Sequence, residues 1–222
     1  MKCSLCSSTA VFSNPALCPE HLIQHVQQTA LETIEKHSLF SREDRVAVAA
    51  SGGKDSVALL DVLSSLGFNV SALAIDEGIS SYRDSTLDHL RSFCSSRNIP
   101  LRIVSFADEY GASLDAFVSK NDVVPCRVCG VFRRQLLNKH SHGFDALATG
   151  HNLDDELQNI FLNLLKNNID LLARLGPRTG VVSDPSFVPR VKPFYFLPEK
   201  MIRTYVILRN IDVDFVECPY AR

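Results

Sequence analysis

Residues 45–50, RVAVAA, run without a break into residues 51–56, SGGKDS, and on into the apolar stretch VALL. A short run of small and β-branched apolar residues predicts a buried strand. The run from Ser56 to Leu66 predicts a helix, which Gly67 stops. Between them, Gly52 and Gly53 let the backbone approach a ligand closely and take positive φ. The N–H groups of such a loop, and of the helix it opens, favour an anion. Ser51 and Ser56 add hydroxyl donors, and Lys54 adds a point charge. Lys54 is followed by Asp55 rather than by a hydroxyl, so the loop departs from the GxxxxGK[ST] pattern. Asp55 would repel a bare phosphate, so it acts through a magnesium ion or a backbone hydrogen bond.

Strand and helix signals then alternate. Strands are predicted at residues 45–50, 69–75, 101–106, 144–149 and 213–216. Helices are predicted at 22–37, 56–66, 83–97, 128–140, 153–167 and 198–209, with a short helix and loop in 107–125. A proline-bearing loop (Pro177, Pro185, Pro189) precedes the last helix. This alternation implies right-handed βαβ units and a parallel sheet covered on both faces, an α/β fold of Rossmann-like type. Ligands of such sheets lie beyond the carboxyl ends of the strands, where the strand order reverses. A second motif, residues 150–156, GHNLDDE, also follows a predicted strand. If the two motif strands are neighbours, Gly150 and Asp155 face the SGGKDS loop, and the strand-end residues Ala49 and Ile75 complete the nucleotide set.

The chain has 222 residues, enough for one α/β domain and a small appendage. No apolar run approaches the ~20 residues of a membrane span, and the first residues lack the apolar core of a signal peptide. The expected setting is therefore cytoplasmic, with no membrane partner. Net charge is −2, with 10 Lys/Arg against 15 Asp/Glu in residues 1–125 and 13 against 10 in 126–222. That tilt is too weak to argue for nucleic acid by itself.

The seven cysteines are clustered. Cys3, Cys6, Cys18 and His21 form CxxC and CxxH pairs joined by a loop, the spacing of a structural zinc site, with His25 as a rival fourth ligand. So small a segment, residues 1–24, needs the metal for its stability; residues 25–222 then form the catalytic domain. Cys126 and Cys129 form a second CxxC at the mouth of a helix, open to a redox pair, a zinc half-site or a cluster half-site. Cys218 stands near the end, in ECPYAR. Cys94 reads as a buried small hydrophobe.

SGGKDS resembles the PP-loop signature of the adenine nucleotide α-hydrolase-like superfamily, which binds ATP and cleaves between its α and β phosphates. The ordered set CxxC…CxxH, SGGKDS, PCxxCG, GHNLDDE and ECPYAR resembles, over essentially the whole chain, the tRNA 2-thiolation (TtcA/TtuA) family. The similarity is strongest to its archaeal and eukaryotic cytoplasmic 2-thiouridine branch. The resemblance implies that Cys126, Cys129 and Cys218 hold a 4Fe-4S cluster with one iron open. It implies adenylation of C2 of a tRNA uridine, followed by sulfur attack that expels AMP. ATP, magnesium, the cluster and zinc are the implied cofactors. The implied partners are tRNA, a sulfur donor (a ubiquitin-like thiocarboxylate protein or sulfide) and a second copy of the chain. Asp55, Arg133 and the three cysteines are the implied catalytic set.

Two departures stand out. The family generally continues past CPYAR into a further zinc-binding segment, and Arg133 occupies a position where some relatives carry lysine. Cys126, Cys129 and Arg133 are spaced i, i+3, i+7, so one helical face presents thiols and cation together. An arginine there can stabilise phosphate charge but does not readily act as a base. A 2-thiocytidine synthetase of the same fold, and a non-catalytic adenine-nucleotide module, remain open at this point.

Overall fold

Val46, Ala47 and Val48 are wholly buried because their strand, β3 (Arg45–Ala49), has a parallel neighbour on each side. In this computed structural model residues 1–179, 187–214 and 216–221 are described. β4 (Asn69–Asp76) flanks β3 on one side and β6 (Ala146–Ala148) on the other. With β5 (Leu101–Ser105) and β7 (Arg190–Val191) the sheet order is β5-β4-β3-β6-β7, parallel throughout. The order reverses between β3 and β6, so the two motif loops leave adjacent strands, as the sequence implied. A separate two-stranded hairpin, β1 (Phe12–Ser13) with β2 (Ala16–Leu17), lies near the N-terminus.

The helices are α1 (Pro19–Lys36), α2 (Lys54–Ser65), α3 (Arg83–Ser96), α4 (Phe106–Tyr110), α5 (Leu114–Lys120), α6 (Pro125–His140), α7 (Leu153–Leu165), α8 (Ile169–Leu172) and α9 (Glu199–Leu208). α1 carries His21 and buries Leu22, Val26, Ala30 and Ile34 in the main core, together with Cys3, Leu17 and Cys18. α6 begins at Pro125, earlier than the periodicity suggested, because proline suits the first helical position. Both cysteines of the second CxxC therefore lie on the helix. Among the described residues no helix is long and apolar enough to cross a membrane.

One sequence expectation fails. Residues 213–216 do not form a strand: 213, 214 and 216 are irregular, and 215 lies outside the described residues, as does Pro185. Ile211 and Val213 are buried and Asp212 is exposed, so the alternation was real. However, the segment lies against α3, where Ser85 donates to Asp214 and His89 sits 3.3 Å from the same carboxylate, and so has no ladder partner. The fifth strand is instead β7, a two-residue piece too short to carry a periodic signal.

One buried carboxylate ties α2 to two other helices. Asp61 is 0 % exposed; it accepts from Tyr205 Oη at 2.7 Å and Arg209 Nε at 2.8 Å, and Arg97 Nη2 lies 3.1 Å away. Removing one member of such a network strands buried charge. Asp61→Ala should therefore lose about 3–5 kcal/mol in urea unfolding. A loss under about 1 kcal/mol, the ordinary surface-pair value, would show that the network is not a structural tie.

Candidate active site

Beyond the carboxyl ends of β3, β4 and β6 lies a cavity of about 530 Å³, within the roughly 300–1,000 Å³ of small-molecule sites. Ala49, Ser51, Asp55, Ser56, Ile75, Arg133, Gly150 and Asp155 line it. Eight of the sequence-selected residues thus face one crevice. Two glycines are required by close approach. Gly52 has φ +84°, and a Cβ there would lie 2.5 Å from the Thr86 carbonyl oxygen. A Cβ on Gly150 would lie 2.8 Å from the Asp55 carbonyl carbon, so the second motif loop sits directly on the first turn of α2.

Gly52, Gly53 and Lys54 do not line the cavity. The Lys54 ammonium is taken up at 2.8 Å by Asp55 Oδ2 and at 2.6 Å by Glu199 Oε1. Burial opposes the Lys54 charge, but its bonds to Asp55 and Glu199 outweigh burial and hold its pKa above the ordinary value. Asp55 responds differently. Burial is the largest influence and raises its carboxyl above the ordinary range; Lys54 opposes, while Asp155 and Glu199 add to the rise. The asymmetry has a cause: Lys54 serves two carboxylates, whereas Asp55 meets one ammonium and faces other acids. Asp55 Oδ1 is buried without a hydrogen-bond partner, an anionic oxygen suited to a bound cation. Asp155 is partly spoken for, since its Oδ2 accepts from the Asn152 N–H at 3.0 Å in a capping box at the start of α7.

A second cavity, about 200 Å³, is lined by Cys126, Cys129 and Cys218, with Tyr82, Leu114 and Tyr220. Cys126 Sγ donates to the Tyr220 carbonyl at 3.1 Å, which holds the last described turn against α6. Burial pushes the Cys129 thiol up to about 11, although Arg133 opposes the rise. Ser51, Glu77, Arg83 and Arg133 line both cavities and form the wall between them. Cys94 is buried away from both, its thiol also pushed up to about 11 by burial. All seven cysteines are free thiols.

The N-terminal residues Cys3, Cys6, Cys18 and His21 bring four ligand atoms within 4.8 Å of one another. His21 Nδ1 lies 3.4 Å from Cys3 Sγ and 3.2 Å from Cys18 Sγ, and Cys6 and Cys18 Sγ are 3.8 Å apart. A tetrahedron with metal–sulfur bonds of about 2.3 Å has edges of this size. His25 is outside the group. Burial raises the Cys3 thiol, but backbone N–H groups of Leu5, Cys18 and Cys6 bring it down to about 6, favouring the thiolate that a metal needs.

Residues 22–217 match the PP-loop domain family. The chain is 35% identical to tRNA-5-methyluridine(54) 2-sulfurtransferase of Pyrococcus horikoshii, over 100% of this chain and 72% of that protein. It is 36% identical to cytoplasmic tRNA 2-thiolation protein 1 of Chlamydomonas reinhardtii, over 99% of this chain and 65% of that one. The solved structure of the U34-tRNA thiolase NcsA from Methanococcus maripaludis, with its [4Fe-4S] cluster, superposes with TM-score 0.86 and 31% identity, covering 100% of this chain and 76% of that one. The chain belongs to the PP-loop tRNA 2-sulfurtransferase family. An NH3-dependent NAD synthetase from Campylobacter jejuni, at TM-score 0.53 and 18% identity, shares the fold alone.

For this sulfurtransferase family member the motif order was a sound guide to the fold, but it missed part of the wall. Glu77 and Arg83, 5 % and 3 % exposed, carry the wall between the cavities. Thr149, His151, Arg134 and Arg190 also line the larger one. The available signal was position: Glu77 follows β4 directly and Arg83 opens α3. Loss of hydration is the largest influence on His151 and lowers its pKa, while Asp155 and Glu156 oppose the fall.

Two outcomes follow from this geometry. Cys6→Ala should lose one equivalent of bound metal by elemental analysis, whereas His25→Ala should retain it. A carboxyl raised in the native state supports the fold fully only below its unfolded pKa, and that support is lost as pH rises through the native value. At neutral pH the nucleotide-free protein therefore carries charged Asp55 at a cost. Asp55→Asn should resist urea at least as well as the parent at pH 7, with the difference vanishing below about pH 4, the ordinary aspartate value. A less stable variant at pH 7 would reverse this reading of the loop.

Proposed function

We propose that the chain is an ATP-dependent tRNA thiolase that converts a uridine to 2-thiouridine. The observation that carries this reading is the shared wall: a nucleotide-sized crevice and a three-thiol cavity meet at Ser51, Glu77, Arg83 and Arg133. A uracil bound at that junction would have its C2 carbonyl between a phosphate and a sulfur source.

In the first step uracil O2 attacks the α-phosphorus of ATP and the bond to the bridging oxygen breaks. Pyrophosphate leaves, and the proton on N3 is lost as the C2–N3 double bond forms. The protein's part is to hold and neutralise. The loop N–H groups and the hydroxyls of Ser51 and Ser56 meet phosphate oxygens. Asp55 Oδ1 would hold magnesium, and Arg133 would spread charge on the α-phosphate. In the second step sulfide sulfur attacks C2 and AMP departs. Cys126, Cys129 and Cys218 would hold a 4Fe-4S cluster, which with three protein thiolates keeps one iron for an external sulfur.

The four N-terminal ligands would hold zinc and stabilise residues 1–24 as a module on the 25–222 catalytic domain. The sulfur donor is a ubiquitin-like thiocarboxylate protein or free sulfide, the setting cytoplasmic, the assembly a homodimer without a membrane partner.

The test is anaerobic reconstitution with iron and sulfide, then ATP, magnesium, sulfide and unmodified tRNA, read by nucleoside mass spectrometry and pyrophosphate release. 2-Thiouridine should form, and mapping will report its position. Asp55→Ala should lower pyrophosphate release by about a hundredfold or more. Cys218→Ala should stop thiolation while pyrophosphate release continues. If Cys218→Ala thiolates like the parent, the three-thiol reading is overturned; 2-thiocytidine, or no modified base, overturns the substrate assignment.

A further inference from the structure

An ion pair as buried as Glu77–Arg83 is an expensive thing to keep in a core, because each ion loses hydration that pairing only partly returns. Here both ions have further tasks. Arg83, the first residue of α3, donates to the carbonyls of Ser51 and Ile75 and, at 3.1 Å, to Thr86 Oγ1. Those two carbonyls lie just beyond β3 and near the end of β4, the two strands that open the nucleotide crevice. Arg83 Nε lies 2.9 Å from Glu77 Oε2, paired in charge though not aligned as a hydrogen bond. The other carboxylate oxygen, Glu77 Oε1, lies 3.6 Å from Arg133 Nη1 on α6. The Glu77 carbonyl accepts from the Leu114 N–H at 2.7 Å, fixing the residue from the α5 side.

The contacts therefore run without a gap from the phosphate loop, through Arg83 and Glu77, to Arg133, which also lines both cavities. Arg133 is half exposed, so its guanidinium has many rotamers unless something selects one. Glu77 is that selector, and Arg83, 2.9 Å from its other carboxylate oxygen, holds it in place. We propose that Glu77 and Arg83 are positioning residues: Arg83 fixes the loop to the sheet, and Glu77 aims Arg133 at the junction where the α-phosphate and the uracil meet. The proposal deepens the thiolase reading and rests on it.

A merely structural pair and a positioning pair differ in what Arg133 does. Pyrophosphate release with tRNA and calorimetric ATP binding to the cluster-free protein separate them. Glu77→Gln keeps the side chain's shape but removes the charge that aims Arg133. It should cut kcat for pyrophosphate release by about ten- to a hundredfold, the scale of a misplaced catalytic group. ATP affinity should stay within about threefold, because the phosphate loop is held by Arg83. Arg133→Gln should cost about the same, and the double variant should be no worse than the worse single, within about twofold.

If Glu77→Gln does not fold, the paired replacement of Glu77→Leu with Arg83→Met takes its place, since removing both charges together is far less harmful than removing one. In that background Arg133→Gln should cost less than about twofold, against tenfold or more in the native sequence. Losses that multiply, or a kcat for Glu77→Gln within about twofold of the parent, overturn the proposal. Absence of pyrophosphate release in the parent protein would instead overturn the thiolase reading, so the two failures are distinguishable.

Discussion

A parallel sheet whose strand order reverses must leave a gap where the two connections part, and everything functional in this chain is arranged around that gap. From β3 the chain steps one way to β4 and β5, then returns to lay β6 and β7 on the other side. The loops after β3 and β6 are therefore splayed apart by their own helices, yet Gly150 still rests against the first turn of α2. The crevice is a consequence of topology; glycine at two points of contact lets its walls approach closely enough for a nucleotide.

Within the gap the charges are arranged against stability. Asp55 is a half-buried carboxylate whose Oδ1 is buried without a partner, and its neighbours Asp155 and Glu199 add to its cost. Lys54 relieves part of this by bridging Asp55 to Glu199 at the start of α9. Glu199 is in turn fixed by its N–H, which donates to Asp154 Oδ2 at 2.7 Å. The loop lysine, the most obvious phosphate ligand in the sequence, is thus tied into the scaffold by two carboxylates. A bound magnesium and triphosphate would offer Asp55 and Lys54 new partners together, so ligand binding and loop electrostatics are linked.

How legible this was depended on whether a residue's task was local. SGGKDS and each CxxC or CxxH pair act within a few residues of themselves, so spacing placed Ser51, Ser56 and the three N-terminal cysteines, while Gly150 followed from the expected strand order. The choice between His21 and His25 was not local: it required knowing that α1 starts at Pro19 and turns His21 toward Cys3 and Cys18. Glu77 and Arg83 resemble any acid after a strand and any base opening a helix; only their joint burial shows what they do. The reverse error came from the strand expected at 213–216: the alternating burial of residues 211–213 belongs to a segment held against α3 through Asp214, not to a strand of the sheet. Propensity carries no record of which surface a segment will meet.

The chain gathers cysteine in two ways, and the difference in geometry separates two kinds of chemistry. At the N-terminus four ligand atoms converge to within 4.8 Å, beside core residues such as Leu17 and Leu22. A single ion there would have its coordination filled by protein, which suits structure and leaves no place for a reactant. Cys126, Cys129 and Cys218 instead stand around a cavity of about 200 Å³, with Cys126 exposed and Arg133 in the wall. Three thiols alone would not saturate a multi-iron group, and the wall of Ser51, Glu77, Arg83 and Arg133 is what their cavity shares with the nucleotide crevice. Closure at one site and incompleteness at the other are what allow the same residue type to brace the fold in one place and to face the reaction in the other.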